Sequence, residues 1–368
     1  MSGRSKAVLE EIAAGLDGRA APAEVIVADA SDYSPVTSRT RNIISTAGPF
    51  SQYSDSLVAA CAQKGISYCD ITGEAPWVKR VIERDAAAAA DSGALITPMC
   101  GFDSVPSDLG TMRTCALLAA KGSATASVTA YMSMSGTMSG GTIATGLLMS
   151  ARYPEEVDDV FLLGGSPAGG PRDVDADRAE AVFEDRVGSW VAPFGMSKIN
   201  TRLVRRAAGL GCYANIDPGF AYQELQLAGS EKVAVGMARN AAIPPEVLKK
   251  FVDAGRLPKP SEGPSKEVRD ASSFRIVFVG EGADGRTAAT SMSGGDPGYD
   301  ETAKMVSEAC FALVEANRDT LPCKGKGGVY TPSGAFGDVL VDRLRAAGMS
   351  FEDDVPFGAL EVVDASSA

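Results

Sequence analysis

Three short segments combine glycine with acidic, hydroxyl or thiol side chains, and each directly follows an apolar, strand-like stretch. They are residues 46–50, 70–74 and 100–108. In an open parallel α/β sheet, ligands bind in the crevice beyond the carboxyl ends of the strands. Glycine there lets the backbone come close to a ligand, and polar side chains donate or accept hydrogen bonds. The spacing therefore predicts ligand contacts at these strand ends.

The second of these segments holds two carboxyl groups and a glycine. Asp70 and Glu74, on either side of Gly73, could orient a ribose hydroxyl or polarise a substrate. Glu74 lies just before Pro76, so it could equally cap the start of a helix. The sequence leaves both interpretations open.

The third segment has the residue types of a contact with a reacting group. Gly101 permits the close approach of a flat ring, Ser104 offers a hydroxyl, and Pro106 stiffens the loop. Ser107 or Asp108 could instead cap the helix that follows. Both roles are compatible with one loop.

Histidine is absent from the 368 residues, which narrows the chemistry. A Ser-His-Asp triad, a Cys-His pair, an HExxH zinc site and an imidazole base are excluded. Any reaction must use carboxylates, Lys, Tyr, Cys, backbone amides or a bound cofactor. The net charge of −12, from 35 basic and 47 acidic residues, argues against nucleic-acid binding, because phosphate recognition needs a cationic surface.

The seven cysteines are widely spaced and none forms a CxxC pair, so neither a zinc ribbon nor a thioredoxin-type site is expected. Their mostly apolar or small neighbours are typical of reduced, buried thiols in a cytosolic protein. The N-terminus has no apolar stretch of the kind that a secretory signal needs. We therefore expect a cytoplasmic protein with no metal site.

Two further sets of residues are candidates for contacts with anions. The first precedes an apolar, helix-like stretch and consists of Ser139, Gly140, Gly141 and Thr142. Free amides at a helix start suit a carboxylate or phosphate oxygen, although a cap without a ligand is the plainer alternative. The second set is a basic helical face, most simply a solvated surface, which comprises Asn200, Arg202, Arg205 and Arg206.

The first third of the chain alternates short apolar runs with helical patterns, which predicts a doubly wound parallel sheet. The predicted strands are residues 25–28, 42–46, 66–71 and 94–97, placing Val25, Ile44, Tyr68 and Leu95 on adjacent strands. A complete dinucleotide-binding domain opens with a strand, a GxGxxG turn and a helix. This chain does not open in that way, so the predicted sheet is an incomplete Rossmann-like one.

After about residue 120 the pattern predicts a mixed α+β second domain with a largely antiparallel sheet, including a hairpin of residues 274–279 and 287–292. The expected domains are residues 1–120, an N-terminally truncated Rossmann-like NAD(P)-binding domain, and residues 121–300, a substrate or dimerisation domain. Residues 301–368 are expected to return to the first domain as helices, including one helix over residues 334–347.

Several motifs, in order over essentially the whole chain, resemble those of one family. They are NIISTAGPF (42–50), YCDITGE (68–74), CGFDSVPSDLG (100–110), SGGT (139–142), GPSKE (263–267), GDPGY (295–299) and TAKM (302–305). The family is that of the saccharopine dehydrogenase-like oxidoreductases, which includes the trans-acting enoyl reductases. The chain departs from the family where its opening strand, glycine-rich loop and first helix would stand, a unit of roughly 30 residues.

The resemblance implies an NAD(P)-dependent oxidoreductase, with an enoyl reductase acting on a lipid-linked substrate as the narrower expectation. It implies that NADP(H) or NAD(H) is bound by Arg4, Ser5, Asp29, Thr46, Gly48, Pro49, Phe50, Cys100, Gly101 and Phe102. The implied substrate-binding residues are Asp103, Ser104, Ser139, Gly140, Gly141 and Thr142. No catalytic residue is assigned.

Without a glycine-rich loop, cofactor binding is expected to be weak, because that loop donates the backbone N–H groups that hold the pyrophosphate. The alternatives are a cofactor-free scaffold, a lipid-surface protein that keeps the fold, or a fragment of a longer enzyme. The expected partners are a small-molecule or lipid-linked substrate, a peripheral membrane or lipid-droplet surface, and a second copy in a homodimer, with no nucleic acid.

Overall fold

A computed structural model describes residues 1–16, 23–136, 139–259 and 262–362. Short parallel strands separated by helices make up its first part. The parallel strands are β1 (Ser2–Gly3), β2 (Ile26–Val27), β3 (Asn42–Ser45), β4 (Ser67–Asp70), β5 (Leu95–Thr97) and, from the tail, β12 (Gly328–Val329). The helices between them are α1 (Lys6–Ala14), α2 (Ser34–Thr37), α3 (Phe50–Tyr53), α4 (Asp55–Lys64), α5 (Ala75–Ser92) and α6 (Val105–Ala120).

Four of these strands form one sheet in the order β12–β5–β4–β3, and all of its neighbours run parallel. Successive side chains point to opposite faces of a strand. Tyr68 and Ile96 accordingly pack in one core cluster with residues of α4 and α5, whereas Cys69 and Leu95 pack in another with residues of α6. Both faces are covered, so the predicted doubly wound parallel sheet is confirmed.

The predicted strand order needs one correction. Ile44, Tyr68 and Leu95 lie on adjacent parallel strands as expected. Val25 does not, because it precedes β2, which pairs only with β1 in a separate two-stranded parallel sheet. Within the described residues no strand joins this pair to β3.

The second part of the chain is built on a seven-stranded sheet in the order β13–β11–β10–β6–β9–β8–β7. Its strands are β6 (Thr125–Met134), β7 (Val182–Glu184), β8 (Ser189–Pro193), β9 (Ile216–Ala228), β10 (Phe274–Gly282), β11 (Thr287–Gly294) and β13 (Ser350–Asp353). Of the described pairings, all but β6 with β9 are antiparallel, and β10 with β11 is the predicted hairpin. The largely antiparallel second sheet is thus confirmed.

The helices that accompany this sheet and the tail are α7 (Gly140–Arg152), α8 (Pro154–Asp158), α9 (Ser197–Gly209), α10 (Glu231–Ala241), α11 (Pro245–Asp253), α12 (Lys266–Asp270), α13 (Asp300–Glu315), α14 (Pro332–Ala335) and α15 (Asp338–Ala346). The single helix predicted over residues 334–347 was wrong. It is divided between α14 and α15 because Gly337 adopts φ +53° against the ring of Pro322, a conformation that L side chains rarely take.

The tail belongs to both sheets, since β12 extends the parallel sheet beside β5 and β13 extends the second sheet beside β11. One continuous core also joins the sheets through α6. It contains Leu95 of the parallel sheet, Leu109 of α6 and Ile276 of the second sheet. Within the described residues, no helix combines the length and the apolar character needed to cross a membrane.

Candidate functional site

Glu74 holds the loop that follows β3. Its buried carboxylate accepts hydrogen bonds from the backbone N–H groups of Phe50 (2.6 Å) and Ser51 (3.0 Å), which open α3 after the cis Gly48–Pro49 bond. These N–H groups have no partner inside the helix, so a carboxylate there is favourable. Glu74 occupies the N-cap position of α5, as the capping interpretation predicted, but its side chain caps α3 and makes no capping bond to α5.

Asp70 joins the loops that follow β4 and β5. Its Oδ1 accepts from the backbone N–H groups of Thr72 (3.0 Å) and Met99 (2.9 Å), and its carbonyl oxygen accepts from Cys100 (2.7 Å). Desolvation by burial raises the pKa of Asp70 to about 7. The two strand ends are thus fixed relative to each other.

The start of the third segment is held by the tail. The Thr302 hydroxyl accepts from the Phe102 backbone N–H at 3.1 Å and donates to the Pro297 carbonyl at 2.8 Å. A Cβ on Gly101 would lie 3.3 Å from the Thr302 methyl and 3.4 Å from Ile71 Cβ. This close packing accounts for the glycine at position 101. Through Thr302, the GDPGY and TAKM motifs are hydrogen-bonded to the third segment.

Asp103 lies where the parallel sheet meets the second part of the chain. A Cβ on Gly73 would be 3.5 Å from Asp103 Oδ2, 3.1 Å from Ile199 of α9 and 3.9 Å from Thr145 of α7, so all three side chains surround one point. Asp103 is partly buried, and desolvation alone raises its pKa to about 6. The structure thus places a carboxyl group beside the loop that follows β4, next to side chains of α7 and α9.

A second buried carboxyl, Glu224 of β9, organises a polar network beside that point. Glu224 accepts from the hydroxyls of Ser107 (2.5 Å) and Tyr222 (2.7 Å) and from the Asn200 amide (2.9 Å). The Ser104 hydroxyl reaches the Asn200 carbonyl oxygen at 3.4 Å. Desolvation, opposed by these donors, raises the pKa of Glu224 to about 7. The network fixes the third segment against the second sheet.

Neither Ser107 nor Asp108 caps α6, so that interpretation was wrong. Ser104 occupies the N-cap position but its hydroxyl makes no capping bond to the helix, and the Ser107 hydroxyl donates to Glu224. Asp108 instead binds the tail: it accepts from the Tyr213 hydroxyl (2.6 Å), the Ser333 hydroxyl (2.7 Å) and the Ser333 N–H (2.7 Å).

The three residues assigned to the adenosine end of a cofactor lie at the ends of β1 and β2. Arg4 follows β1, and its charge contributes to lowering the pKa of Asp29, a shift that comes mainly from the Ser31 hydroxyl and N–H donors. Ser5 caps α1 by accepting from the Val8 N–H at 3.4 Å. The Arg4 charge thus acts on Asp29, whereas the Ser5 hydroxyl caps a helix.

The loop after β2, which carries Asp29, contacts the helices that follow β3. The Tyr33 hydroxyl donates to the Tyr53 carbonyl at 2.9 Å, and the Ser56 hydroxyl donates to the Ala30 carbonyl at 3.4 Å. The loop after β2 therefore contacts α3 and the start of α4. The predicted cofactor residues at the ends of β1, β2 and β3 lie on one side of the parallel strands.

The helix start at residues 139–142 is capped. The Ser139 hydroxyl accepts from the Thr142 N–H at 3.1 Å, and the Gly140 N–H donates to the Glu262 carbonyl at 3.3 Å. A Cβ on Gly140 would overlap the Lys259 carbonyl, so the chain packs directly on this glycine. The capping interpretation is confirmed, and a substrate contact by Ser139, Gly140, Gly141 and Thr142 stays a prediction.

The basic face of α9 is buried, not solvated, so that expectation was wrong. Arg202 forms a two-pronged ion pair with Asp177, at 2.5 and 2.8 Å. Arg205 donates to the carbonyls of Val160 and Asp175, and Arg206 donates to loop and strand carbonyls. Their partners are the Asp177 carboxylate and backbone carbonyls of distant segments, which a residue pattern does not reveal. These arginines hold residues 157–177 onto α9.

Sequence reasoning also missed Glu224, Tyr222 and the role of Asn200. The available signal was a glutamate inside a long apolar strand, since an ionisable residue is rarely buried unless it has partners. Its partner Ser107 lies 117 positions away, so the pairing itself was not readable from the pattern.

The residues predicted to hold a dinucleotide follow the strands of two parallel sheets. Arg4 and Asp29 follow β1 and β2, and the loops of Gly48 and Gly101 follow β3 and β5 of the four-stranded sheet, so their contacts with a cofactor stay a prediction. The GxGxxG pattern that the chain does contain, residues 280–285, joins β10 to β11 as a hairpin turn. Among the described residues, no glycine-rich strand-to-helix turn offers a cradle for the pyrophosphate.

No protein-family model matches the chain. It is 33% identical over 384 residues to a protein of Mycobacterium tuberculosis (strain ATCC 25618 / H37Rv) whose name assigns it provisionally as a trans-acting enoyl reductase, with 96% of this chain and 90% of that protein covered. It is 30% identical to the trans-acting enoyl reductase of Mycobacterium bovis (strain BCG / Pasteur 1173P2), with 95% and 89% covered.

Among solved structures, the chain is similar to saccharopine dehydrogenase (L-Glu forming) from Saccharomyces cerevisiae, with 12% identity, a TM-score of 0.46 and 90% of each chain covered. The two mycobacterial relatives show the family, because each alignment covers nearly the full length of this chain and of the relative. The chain belongs to the family of trans-acting enoyl reductases.

Proposed function

We propose that this protein is an NAD(P)H-dependent enoyl reductase that reduces a carbon–carbon double bond conjugated to the carbonyl of a lipid-linked acyl chain. The observation that carries the proposal is the junction of the loops after β3, β4 and β5 through Asp70 and Glu74, in a chain that belongs to the enoyl reductase family. That junction lies at the ligand-binding edge of a parallel sheet.

The chain's own residues would position the reactants. Gly48, Pro49, Phe50, Cys100, Gly101 and Phe102 would contact the nicotinamide end, and Thr46 would stand beside them. Arg4, with Ser5 and Asp29 beside it, would face the adenosine ribose, where an arginine accommodates a 2′-phosphate. The bound cofactor supplies the hydride. Asp103 and Ser104 would face the substrate, with the Glu224 network fixing their loop.

The test is direct. The purified chain is mixed with NADPH or NADH and the pantetheine thioester of crotonate, and the loss of dihydronicotinamide absorbance is followed together with the saturated product by mass spectrometry. Product formation with either cofactor is expected. Absence of product from crotonyl, longer 2-enoyl and branched 2-enoyl thioesters with both cofactors would overturn the proposal.

A cofactor-free scaffold is the second candidate function. The observation that favours it is the lack, among the described residues, of a glycine-rich turn for the pyrophosphate. Calorimetry separates the two: the reductase requires saturable binding of NADPH or NADH, whereas the scaffold requires that neither binds at millimolar concentration.

The partners and the location of the protein are proposals as well. A lipid-linked substrate calls for contact with a membrane or lipid-droplet surface from the cytoplasmic side, and flotation with anionic vesicles tests this contact. A homodimer is proposed for the second part of the chain, and light scattering tests it by mass.

A further inference from the structure

Three elements meet beside the loop that follows β4. Gly73 in that loop has no side chain, and around the position that a Cβ would take lie Asp103 Oδ2, Ile199 of α9 and Thr145 of α7. Apolar and methyl groups therefore flank a carboxyl oxygen on the side where the parallel sheet meets the second part of the chain. The carboxyl ends of the strands are where ligands bind in open α/β sheets.

The other buried carboxyl groups near this edge are already occupied by donors. Glu74 accepts from two backbone N–H groups, Glu224 from two hydroxyls and an amide, and Asp108 from two hydroxyls and an N–H. Asp70 Oδ1 accepts from two backbone N–H groups, and its other oxygen is sealed from the surface. Among the described residues, no donor binds Asp103; desolvation by burial raises its pKa, and its charge in turn adds to the raised pKa of Glu224.

Two other phenols near this edge are committed to carboxylate partners, and the Tyr68 hydroxyl on β4 is sealed from the surface. Tyr213 and Tyr222 donate their hydroxyl protons to Asp108 and Glu224, and these carboxylates add to the burial that raises the pKa of each phenol well above its usual range. The Cys100 thiol donates to the Thr97 carbonyl at 3.2 Å. The chain holds no histidine.

We propose that Asp103 is the catalytic residue that donates the proton in the reduction, an inference that rests on the proposed function. Its carboxyl group has no hydrogen-bond donor among the described residues, and it lies between the loop after β4 and side chains of α7 and α9. Its neighbour Ser104 is tied to Asn200, and Phe102 to Thr302, so the loop that carries the acid is fixed on both sides.

The bound cofactor, a dihydronicotinamide, would supply the hydride for the new C–H bond at the β-carbon of the 2-enoyl thioester and would be oxidised to the nicotinamide cation, while the π electrons move onto the thioester oxygen. The O–H bond of the Asp103 carboxylic acid then breaks as a C–H bond forms at the α-carbon and the thioester carbonyl is restored. The Asp103 carboxylate afterwards takes a proton from water.

This assignment agrees with the surroundings of Asp103. A carboxyl group with a pKa of about 6 is protonated in an appreciable fraction of molecules near neutral pH, whereas an ordinary aspartic acid is ionised. A proton donor works best when its pKa lies close to the working pH.

The experiment compares Asp103→Asn, Asp103→Glu and the exposed control Asp91→Asn, with crotonyl pantetheine as substrate in D2O. Loss of the proton donor is expected to lower kcat by roughly 10²–10⁴-fold in Asp103→Asn, to leave part of the rate in Asp103→Glu and to leave Asp91→Asn unchanged. Asp103→Asn product should carry deuterium on both faces of the α-carbon, whereas the wild-type product carries it on one face.

Two further readouts separate a missing acid from a damaged fold. Thermal unfolding and calorimetric binding of NADPH are expected to stay near wild type in Asp103→Asn. A wild-type protein that reduces the thioester, with an Asp103→Asn variant equal in rate and in α-carbon stereochemistry, would overturn the inference and leave the proposed function standing. A wild-type protein without reductase activity would overturn both.

Discussion

Glu224 gives the sharpest test of the site's electrostatics. Its carboxyl group is buried at the centre of the network that joins α6, α9 and β9, and its pKa rises from 4.5 to about 7. Since a tenfold change in proton affinity corresponds to about 1.4 kcal/mol, ionising this group costs the folded protein about 3 kcal/mol. The folded state holds the proton more tightly than the unfolded state does. The stabilisation is therefore complete below about pH 4.5 and is lost as the pH rises through about 7.

The substitution Glu224→Gln keeps the shape of the side chain and an acceptor for Ser107 and Tyr222, but it cannot ionise. Urea unfolding followed by tryptophan fluorescence, repeated between about pH 5 and about pH 8, gives the free energy of unfolding at each pH. The fall in that free energy is expected to be about 3 kcal/mol smaller in Glu224→Gln than in wild type. Asp70 and Asp103 also have raised pKa values, so the free energy of unfolding still falls with pH in both proteins.

Glu180→Gln is the matched control because Glu180 is exposed. Its free energy of unfolding should change with pH by the same amount as that of wild type. If Glu224→Gln and wild type lose stability equally over this pH range, Glu224 is not a buried acid with a raised pKa. The reasoning on the network would then be refuted.

Three other outcomes follow from the geometry. Asp108→Asn should lower the free energy of unfolding by about 2–3 kcal/mol and speed release of the tail in limited proteolysis, because three donors lose a carboxylate. Gly140→Ala should lower the free energy of unfolding by about 1–3 kcal/mol, because the new Cβ would overlap the Lys259 carbonyl. Gly146→Ala, in the same helix but with open space around it, should raise that free energy by about 0.5–1 kcal/mol. Equal effects of the two variants in differential scanning calorimetry would contradict this. Arg4→Ala should weaken NADPH binding about tenfold or more and spare NADH in fluorescence titrations, and equal losses for both would exclude a 2′-phosphate contact.

The strand ends of the site were predictable because the information is local. A run such as Asn42–Ser45 followed by Gly48 and Pro49 shows where a strand stops, and in a parallel sheet such stops share an edge. The same local logic marked Gly101 and Asp103. The pattern also predicted both sheets, since the period changes near residue 120.

What could not be predicted depends on partners far away in the chain. Glu74 caps α3, which begins 24 residues earlier, and Arg206 donates to Val329, 123 residues later. Such pairs are decided by how the elements pack, so a residue pattern shows only that a charged group exists. The break at Gly337 has the same origin, because the neighbouring Pro322 ring and a left-handed backbone override a good helical pattern.

The place of β12 at the edge of the parallel sheet has a consequence for biosynthesis. Its strand neighbour β5 leaves the ribosome roughly 230 residues earlier, which at ~5–20 residues per second is on the order of ten to fifty seconds. Throughout that interval the edge of β5 presents unpaired N–H and C=O groups to other nascent chains. The yield of folded protein should therefore rise when fewer chains are synthesised at the same time, and β12 is the segment whose arrival covers this edge.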